Sequence, residues 1–132
     1  MLKKLSTNVE NSTLVVSPDE HDEQVLSGIL QNERWRVRAA RSFQEALGVL
    51  GTHRPNVVAC ERELPDGSWR DVFHFLATKL KNPPPLVVVS RHADEALWAE
   101  VLNVGGFDVL TKPFDKDEVH RVMTMARRHS DS

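Results

Sequence analysis

The length, composition and charge of the chain indicate a single globular domain. It has 132 residues, 40% hydrophobic and 27% charged, so one core can form without disulfides or metals. The formal net charge of −2 argues against a chain whose main task is to bind nucleic acid or an anionic membrane. The single cysteine, Cys60, excludes an internal disulfide and suits the cytoplasm, and no apolar stretch reaches the roughly 20 residues of a membrane span.

Apolar runs and amphipathic segments alternate along the chain. Each run predicts a strand, and the segment after it predicts a helix because its apolar residues recur at helical spacing. Residues 1–11 are polar and are expected to form a tail ahead of one domain at 12–130. The predicted strands are 13–16, 35–40, 56–60, 85–90 and 107–110, and the predicted helices are 19–33, 43–50, 72–80, 93–104 and 119–126.

Capping signals precede three of the predicted helices. In each signal a Ser or Asp is followed three residues later by Glu, the spacing at which a cap and the first helical turn satisfy each other's hydrogen bonds. The pairs are Ser17 with Glu20, Ser42 with Glu45, and Asp115 with Glu118.

The alternation of five strands with five helices predicts a parallel sheet covered on both faces. The chain is too short for two dinucleotide-binding halves, so we expect an α/β, flavodoxin-like three-layer sandwich with strand order 2-1-3-4-5. In that order, ligand chemistry gathers where the first and third strands end. Glu61, which closes the third run, is therefore expected to point into this crevice.

Four motifs follow one another along this framework: "LVV" closing the first strand, "PNVVACERELPDG" around the third, "LVVVS" closing the fourth and "GGFDVLTKPF" around the fifth. Together they resemble the receiver domain of two-component response regulators. The resemblance implies a bacterial signalling module with a phosphorylatable Asp ending the third strand. It also implies two acidic residues after the first strand that hold Mg²⁺, a Ser or Thr ending the fourth, and a Lys ending the fifth.

The chain keeps part of the set that the resemblance implies. Ser90 matches the hydroxyl, and Lys112 with Pro113 matches a Lys–Pro pair whose peptide bond is typically cis in the family. Asp19 lies one place beyond the acidic pair, where we expect it to begin a helix. The departures are Glu61 at the acceptor position, Ser17 and Pro18 at the acidic positions, Arg91 after the hydroxyl, and Val109 at the aromatic switch position.

These departures predict a pocket without the usual metal chemistry. Mg²⁺ prefers octahedral oxygen ligands with one or two carboxylates, and Ser17 and Pro18 supply none, so we expect no cofactor and a lost Mg²⁺ site. Phosphoryl transfer depends on positioning and on neutralised charge, which argues against phosphorylation. Three interpretations of Glu61 stay open: an ion pair with Lys112, a permanently charged imitation of a phosphorylated residue, or true phosphorylation of Glu61, Asp66 or Asp71.

The sequence thus predicts an atypical receiver that acts by protein–protein contact and is not an enzyme. The expected partners are a histidine kinase or an output protein. The resemblance implies that a second copy or a target binds through the fourth helix, fifth strand and fifth helix, a face that Trp98 marks if its side chain points outward. Neither a membrane nor nucleic acid is expected as a partner, and any output is expected from a partner or from a missing part of a longer regulator. Alternatives are a phosphorylatable receiver with an altered pocket and a flavodoxin-like cofactor binder or enzyme, although no glycine-rich loop follows the first strand.

Overall fold

The computed structural model describes residues 11–130. Ten main elements alternate along this range, and each predicted strand and helix has a counterpart. The predicted tail lies outside the described residues except for Asn11, which is already the first residue of a strand. The elements are β1 (Asn11–Val16), α1 (Glu20–Leu30), β2 (Trp35–Ala40), α2 (Phe43–Leu50), β3 (Val57–Glu61), α3 (Trp69–Lys79), β4 (Leu86–Ser90), α4 (Glu95–Val104), β5 (Asp108–Thr111) and α5 (Lys116–Ser130).

The five strands form one parallel sheet in the order β2-β1-β3-β4-β5. The predicted flavodoxin-like order is therefore confirmed. β1 pairs with both β2 and β3, so the crossover direction reverses at β1, and the carboxyl ends of β1 and β3 border a crevice. A two-residue hairpin, Glu63–Leu64 with Gly67–Ser68, links β3 to α3.

Each face of the sheet carries its own apolar core. One face packs against α2, α3 and α4, and its buried residues include Trp69, Leu76 and Leu97. The other face packs against α1 and α5, with Leu26, Leu30 and Met123 among its members. This division produces the three layers that the sequence predicts, because strands buried on both faces carry continuous apolar runs.

Among these helices α2 alone starts at its predicted residue, Phe43; α1, α3, α4 and α5 start at Glu20, Trp69, Glu95 and Lys116 instead of 19, 72, 93 and 119. The side chain of Asp19 caps α1 by accepting a hydrogen bond from the backbone amide of His21, so Ser17 is not the cap. A capping box formed by Ser68 and Asp71 starts α3 at Trp69, three residues before the predicted start. Ser42 caps α2 through the amide of Glu45, and Asp115 accepts from the amide of Glu118, as predicted.

A carboxylate from the hairpin fastens the loop after β3 to the start of α2. The Asp66 carboxylate accepts hydrogen bonds from the amides of Phe43 (2.7 Å) and Gln44 (3.0 Å). These two bonds lower the pKa of Asp66. The contact fixes the course of the chain directly after Glu61, beside the crevice.

No helix in the described part of the chain has the length and apolar character that crossing a bilayer would require.

Candidate functional site

Four polar side chains meet where β1, β3, β4 and β5 end. Ser17 follows β1, Glu61 is the last residue of β3, Ser90 is the last residue of β4, and Lys112 follows β5. The carboxyl ends of parallel strands lie at one edge of a sheet, so positions far apart in sequence become neighbours. The register places Glu61 opposite Val89 and Ser90 opposite Thr111, which brings the ends of β3, β4 and β5 level.

The ammonium group of Lys112 lies between two carboxylates. Its Nζ donates to Oδ2 of Asp22 at 2.9 Å and to Oε1 of Glu61. Only 9% of the Lys112 side chain is exposed, compared with 3% for Asp22 and 16% for Glu61. Burial lowers the pKa of Lys112, but the bonds to Glu61 and Asp22 outweigh that effect, and the net result is a raised pKa.

Asp22 is a site residue that the sequence reasoning missed. It lies in the first turn of α1 and is buried, together with Leu26 and Leu30, on the face that packs against the sheet. Its Oδ2 also accepts a hydrogen bond of 2.7 Å from the hydroxyl of Ser17. The missed signal was its spacing: Asp22 stands four residues before Leu26, so the apolar stripe of α1 begins with an acid.

Both oxygens of Glu61 have partners within the chain. Oε1 accepts from Lys112, and Oε2 accepts from the backbone amide of Arg62 at 3.0 Å. The end of β3 therefore presents a carboxylate that is already hydrogen bonded on both sides. The structure brings Glu61 and Lys112 together, as the sequence suggests, and adds Asp22 as a third member.

The two serines are held by their own turns. Ser17 Oγ accepts from the amide of Asp19 at 3.1 Å while it donates to Asp22. Ser90 Oγ accepts from the amide of His92 at 3.0 Å, and the carbonyl of Ser90 accepts from the amide of Lys112 at 3.0 Å. These hydrogen bonds hold the two hydroxyls at the carboxyl ends of β1 and β4.

Other predicted pocket residues are placed outside the ion-pair cluster. Pro18 and Asp19 are exposed, and Asp19 is engaged in capping α1. Pro113 follows Lys112 through a cis peptide bond and is exposed. Val109 is buried within β5, where it pairs with Val88.

A shallow cavity of about 290 Å³ opens over this cluster. Glu61, Ser90 and Lys112 line it together with Arg62 and the exposed Arg91. Trp69 is not among the described residues that line the cavity. Trp69 is the first residue of α3 and is only 2% exposed, and its side chain belongs to the core between α3 and the sheet.

Asp66 and Asp71, the other carboxylates considered as acceptors, are engaged elsewhere. Asp66 binds the amides at the start of α2, and Asp71 accepts from the amide of Ser68 at 2.9 Å in the capping box of α3. Within residues 11–130, no three histidine, cysteine, aspartate or glutamate side chains are grouped so that they could hold a metal ion.

Comparison with known proteins gives consistent matches. A family model described as the response regulator receiver domain matches residues 13–124. TcrX of Mycobacterium tuberculosis, described as a probable transcriptional regulatory protein, is 33% identical over 118 residues, which cover 89% of this chain and 50% of TcrX. The chain thus spans half the length of that curated relative.

Solved structures show the same fold. The receiver domain of the Francisella response regulator 1452 aligns with a TM-score of 0.81 at 21% identity, covering 92% of this chain and 99% of that domain. The beryllofluoride-activated receiver domain dimer of NtrC4 also aligns with a TM-score of 0.81 at 21% identity, covering 90% of this chain and 98% of the other. At these identities the similarity concerns the fold alone.

Proposed function

The chain belongs to the response regulator receiver domain family, and on this premise we propose that it is an atypical receiver that signals through protein–protein contacts without phosphorylation of Glu61. The observation that supports this most strongly is the position of Lys112, whose ammonium group binds Asp22 and Glu61 at once. A built-in cation occupies the centre of the carboxylate cluster. The module is a binding protein rather than an enzyme.

The donor set of the crevice does not fit Mg²⁺. A dication would need the oxygens of Asp22 and Glu61, and both carboxylates already bind Lys112. Placing a dication beside that ammonium would add repulsion in a poorly solvated pocket. Two carboxylates at the acidic positions of the family would offset the charge of a dication. In this chain those positions hold Ser17 and Pro18, which carry no charge.

Glu61 is also poorly placed to accept a phosphoryl group. Its extra methylene, compared with Asp, moves the carboxylate by about 1 Å, and an error of that size costs roughly 10²-fold in rate. One oxygen is bound to Lys112 and the other to the amide of Arg62, so both oxygens are already held by hydrogen bonds within the chain. We therefore interpret Glu61 as half of a structural ion pair.

Intact-protein mass spectrometry after incubation with acetyl phosphate and Mg²⁺ tests this proposal. We expect no gain of a phosphoryl mass in the wild-type protein, because the metal site and the acceptor are both missing. The matched control is the triple variant Ser17→Asp, Pro18→Asp and Glu61→Asp, which restores the acidic pair and the acceptor. A phosphoryl adduct on the wild-type protein that disappears in Glu61→Gln would instead establish a phosphorylatable receiver with an altered pocket.

The proposed contact surface is the face formed by α4, β5 and α5. Three large apolar side chains are exposed on its helices, namely Trp98 and Leu102 on α4 and Met125 on α5. A shallow cavity of about 560 Å³ beside Trp98 continues this surface. Large apolar side chains that are exposed on one surface favour a protein interaction site. The receiver domain dimer of NtrC4 supports a second copy as one occupant, and a kinase or an output protein is the other kind we propose.

Sedimentation velocity tests the second copy as an occupant. We expect a concentration-dependent dimer that Trp98→Glu abolishes, because a charge at this position would have to be desolvated in the interface. Lys79→Glu, a charge change at an exposed position on α3 and outside this face, serves as the control. A dimer that persists unchanged in Trp98→Glu would exclude this face.

A further inference from the structure

A second and larger cleft lies at the opposite edge of the sheet, where β3, β4 and β5 begin. Its volume is about 870 Å³, compared with about 290 Å³ for the cavity over Glu61. The ends of α3 and α5 and the turn after α4 enclose it. No residue within 11–130 lines both cavities, so this cleft is independent of the Glu61 site and of the function proposed for it.

Aromatic side chains and glycines form one preformed wall of this cleft. Phe73 packs so closely on Gly105 that a Cβ atom there would lie 2.7 Å from its ring, and Gly105 has a φ of +125°, which favours glycine. The ring of Phe107 lies 5.4 Å from that of His129, and the Phe107 amide donates to the carbonyl of Leu86 at 2.7 Å. The wall is thus fixed by contacts within the domain and needs no ligand to form.

Another part of the cleft wall consists of three consecutive prolines, Pro83, Pro84 and Pro85. Proline has no backbone N–H, so this segment offers carbonyl acceptors and apolar rings but no backbone donors. The carbonyl of Pro85 already accepts from the amide of Val58 at 3.0 Å. A ligand that suits this wall must therefore bring hydrogen-bond donors and apolar surface.

Positive charge borders the cleft. Lys79 ends α3, and Lys81 directly precedes Asn82, which lines the cleft; both lysine side chains are exposed. No acidic residue is among the described residues that line the cleft. The neighbouring Asp108 uses its carboxylate to accept from the amide of Val109 at 2.8 Å. The rim therefore attracts negative charge, although the whole chain carries a formal charge of −2.

We propose that this cleft docks an acidic peptide segment of a partner protein, with an apolar side chain of the peptide inserted between Phe73 and the prolines. The peptide backbone supplies the N–H donors that the proline wall lacks, and Asp or Glu side chains meet Lys79 and Lys81. A nucleic acid suits the site less well. Its phosphodiester backbone carries only acceptors, and its bases would have to stack on aromatic rings that are already half-buried.

Amide NMR spectra of the ¹⁵N-labelled protein test the proposal with a defined probe. The probe is a synthetic peptide in which Glu and Asp alternate with Phe and Leu, and a single-stranded oligonucleotide of equal charge is titrated in parallel. We expect saturable shifts from the peptide at Ala77, Gly105, Gly106 and Phe107, and none there from the oligonucleotide. The double variant Lys79→Glu with Lys81→Glu is expected to weaken peptide binding by about tenfold, since two favourable charge contacts become repulsive.

The double variant Arg91→Glu with Lys116→Glu is the matched control, because it makes the same charge change at exposed positions on the other edge of the sheet. Equal weakening in this control would show that net charge alone governs binding and would overturn the proposal. Peptide shifts confined to other surfaces, or tighter binding of the oligonucleotide at the cleft, would also overturn it. Ala77→Glu places a carboxylate in the cleft itself and should abolish the shifts without altering the melting temperature.

Discussion

Replacement of Lys112 with methionine is expected to lower the free energy of unfolding by about 3 kcal/mol at neutral pH. The variant keeps much of the apolar stem but leaves the carboxylates of Asp22 and Glu61 in a poorly solvated pocket without their shared cation. Removal of one partner from a buried ion pair costs roughly 3–5 kcal/mol because the remaining charge is uncompensated. Chemical denaturation followed by circular dichroism measures the difference.

Controls for this prediction separate the ion pair from the loss of a lysine. Lys116→Met removes an exposed ammonium and should change stability by less than about 0.5 kcal/mol. Glu61→Gln combined with Lys112→Met should recover part of the lost stability, because it removes one of the two carboxylates that Lys112→Met leaves without a cation. If Lys112→Met is as stable as Lys116→Met, the cluster does not hold the crevice together.

The pH dependence of the wild-type protein follows from the raised pKa of Lys112. Because the ammonium form is favoured in the folded protein, the stabilisation is complete below the ordinary lysine value of 10.5. It is lost as the pH rises through the higher value of the folded state. The free energy of unfolding of Lys112→Met should therefore lack this decrease at alkaline pH. The free energies of unfolding of the two proteins should converge at high pH.

Trp69→Ala is expected to destabilise the fold by about 4 kcal/mol, because replacement of a large buried side chain leaves a cavity that the surroundings fill only partly. Trp69 is 2% exposed, packs within the core on the α3 side, and donates its amide to the carbonyl of Arg62 at 3.1 Å. Trp98→Ala is the matched control, since Trp98 is 51% exposed and the same atoms are removed. Denaturation at low protein concentration should show that Trp98→Ala lowers the free energy of unfolding by less than about 1 kcal/mol. Similar losses of stability in both variants would contradict the placement of Trp69.

The fold was predictable because its signals are repeated along the chain. The run at Val57–Glu61 is apolar up to its last residue, and the run at Leu86–Ser90 is buried throughout, as expected for central parallel strands. Each of the helices α1 to α5 begins with its own capping Ser or Asp, so local and global preferences agree. These features determine topology without any knowledge of side-chain contacts.

The site was predictable only where a residue ends a strand. Glu61 and Lys112 follow the strand ends directly, so the topology alone brings them together. Asp22 reaches the same point from α1, and its contribution depends on how that helix is rotated against the sheet. The sequence did not predict that rotation, because Ser17 has the spacing of a helix cap. In the structure Asp19 caps α1, and the Ser17 hydroxyl donates to Asp22 instead.

Titration of the ¹⁵N-labelled protein with Mg²⁺ tests most directly whether Lys112 has taken the place of a metal. We expect no saturable shift of the amides of Ser17, Asp22, Glu61 and Ser90, because the carboxylates that would bind the ion are already bound to Lys112. The variant with Ser17→Asp, Pro18→Asp and Glu61→Asp should show such shifts and so proves the sensitivity of the measurement. Saturable shifts at these amides in the wild-type protein would mean that Mg²⁺ displaces Lys112, and the crevice would then be a working metal site.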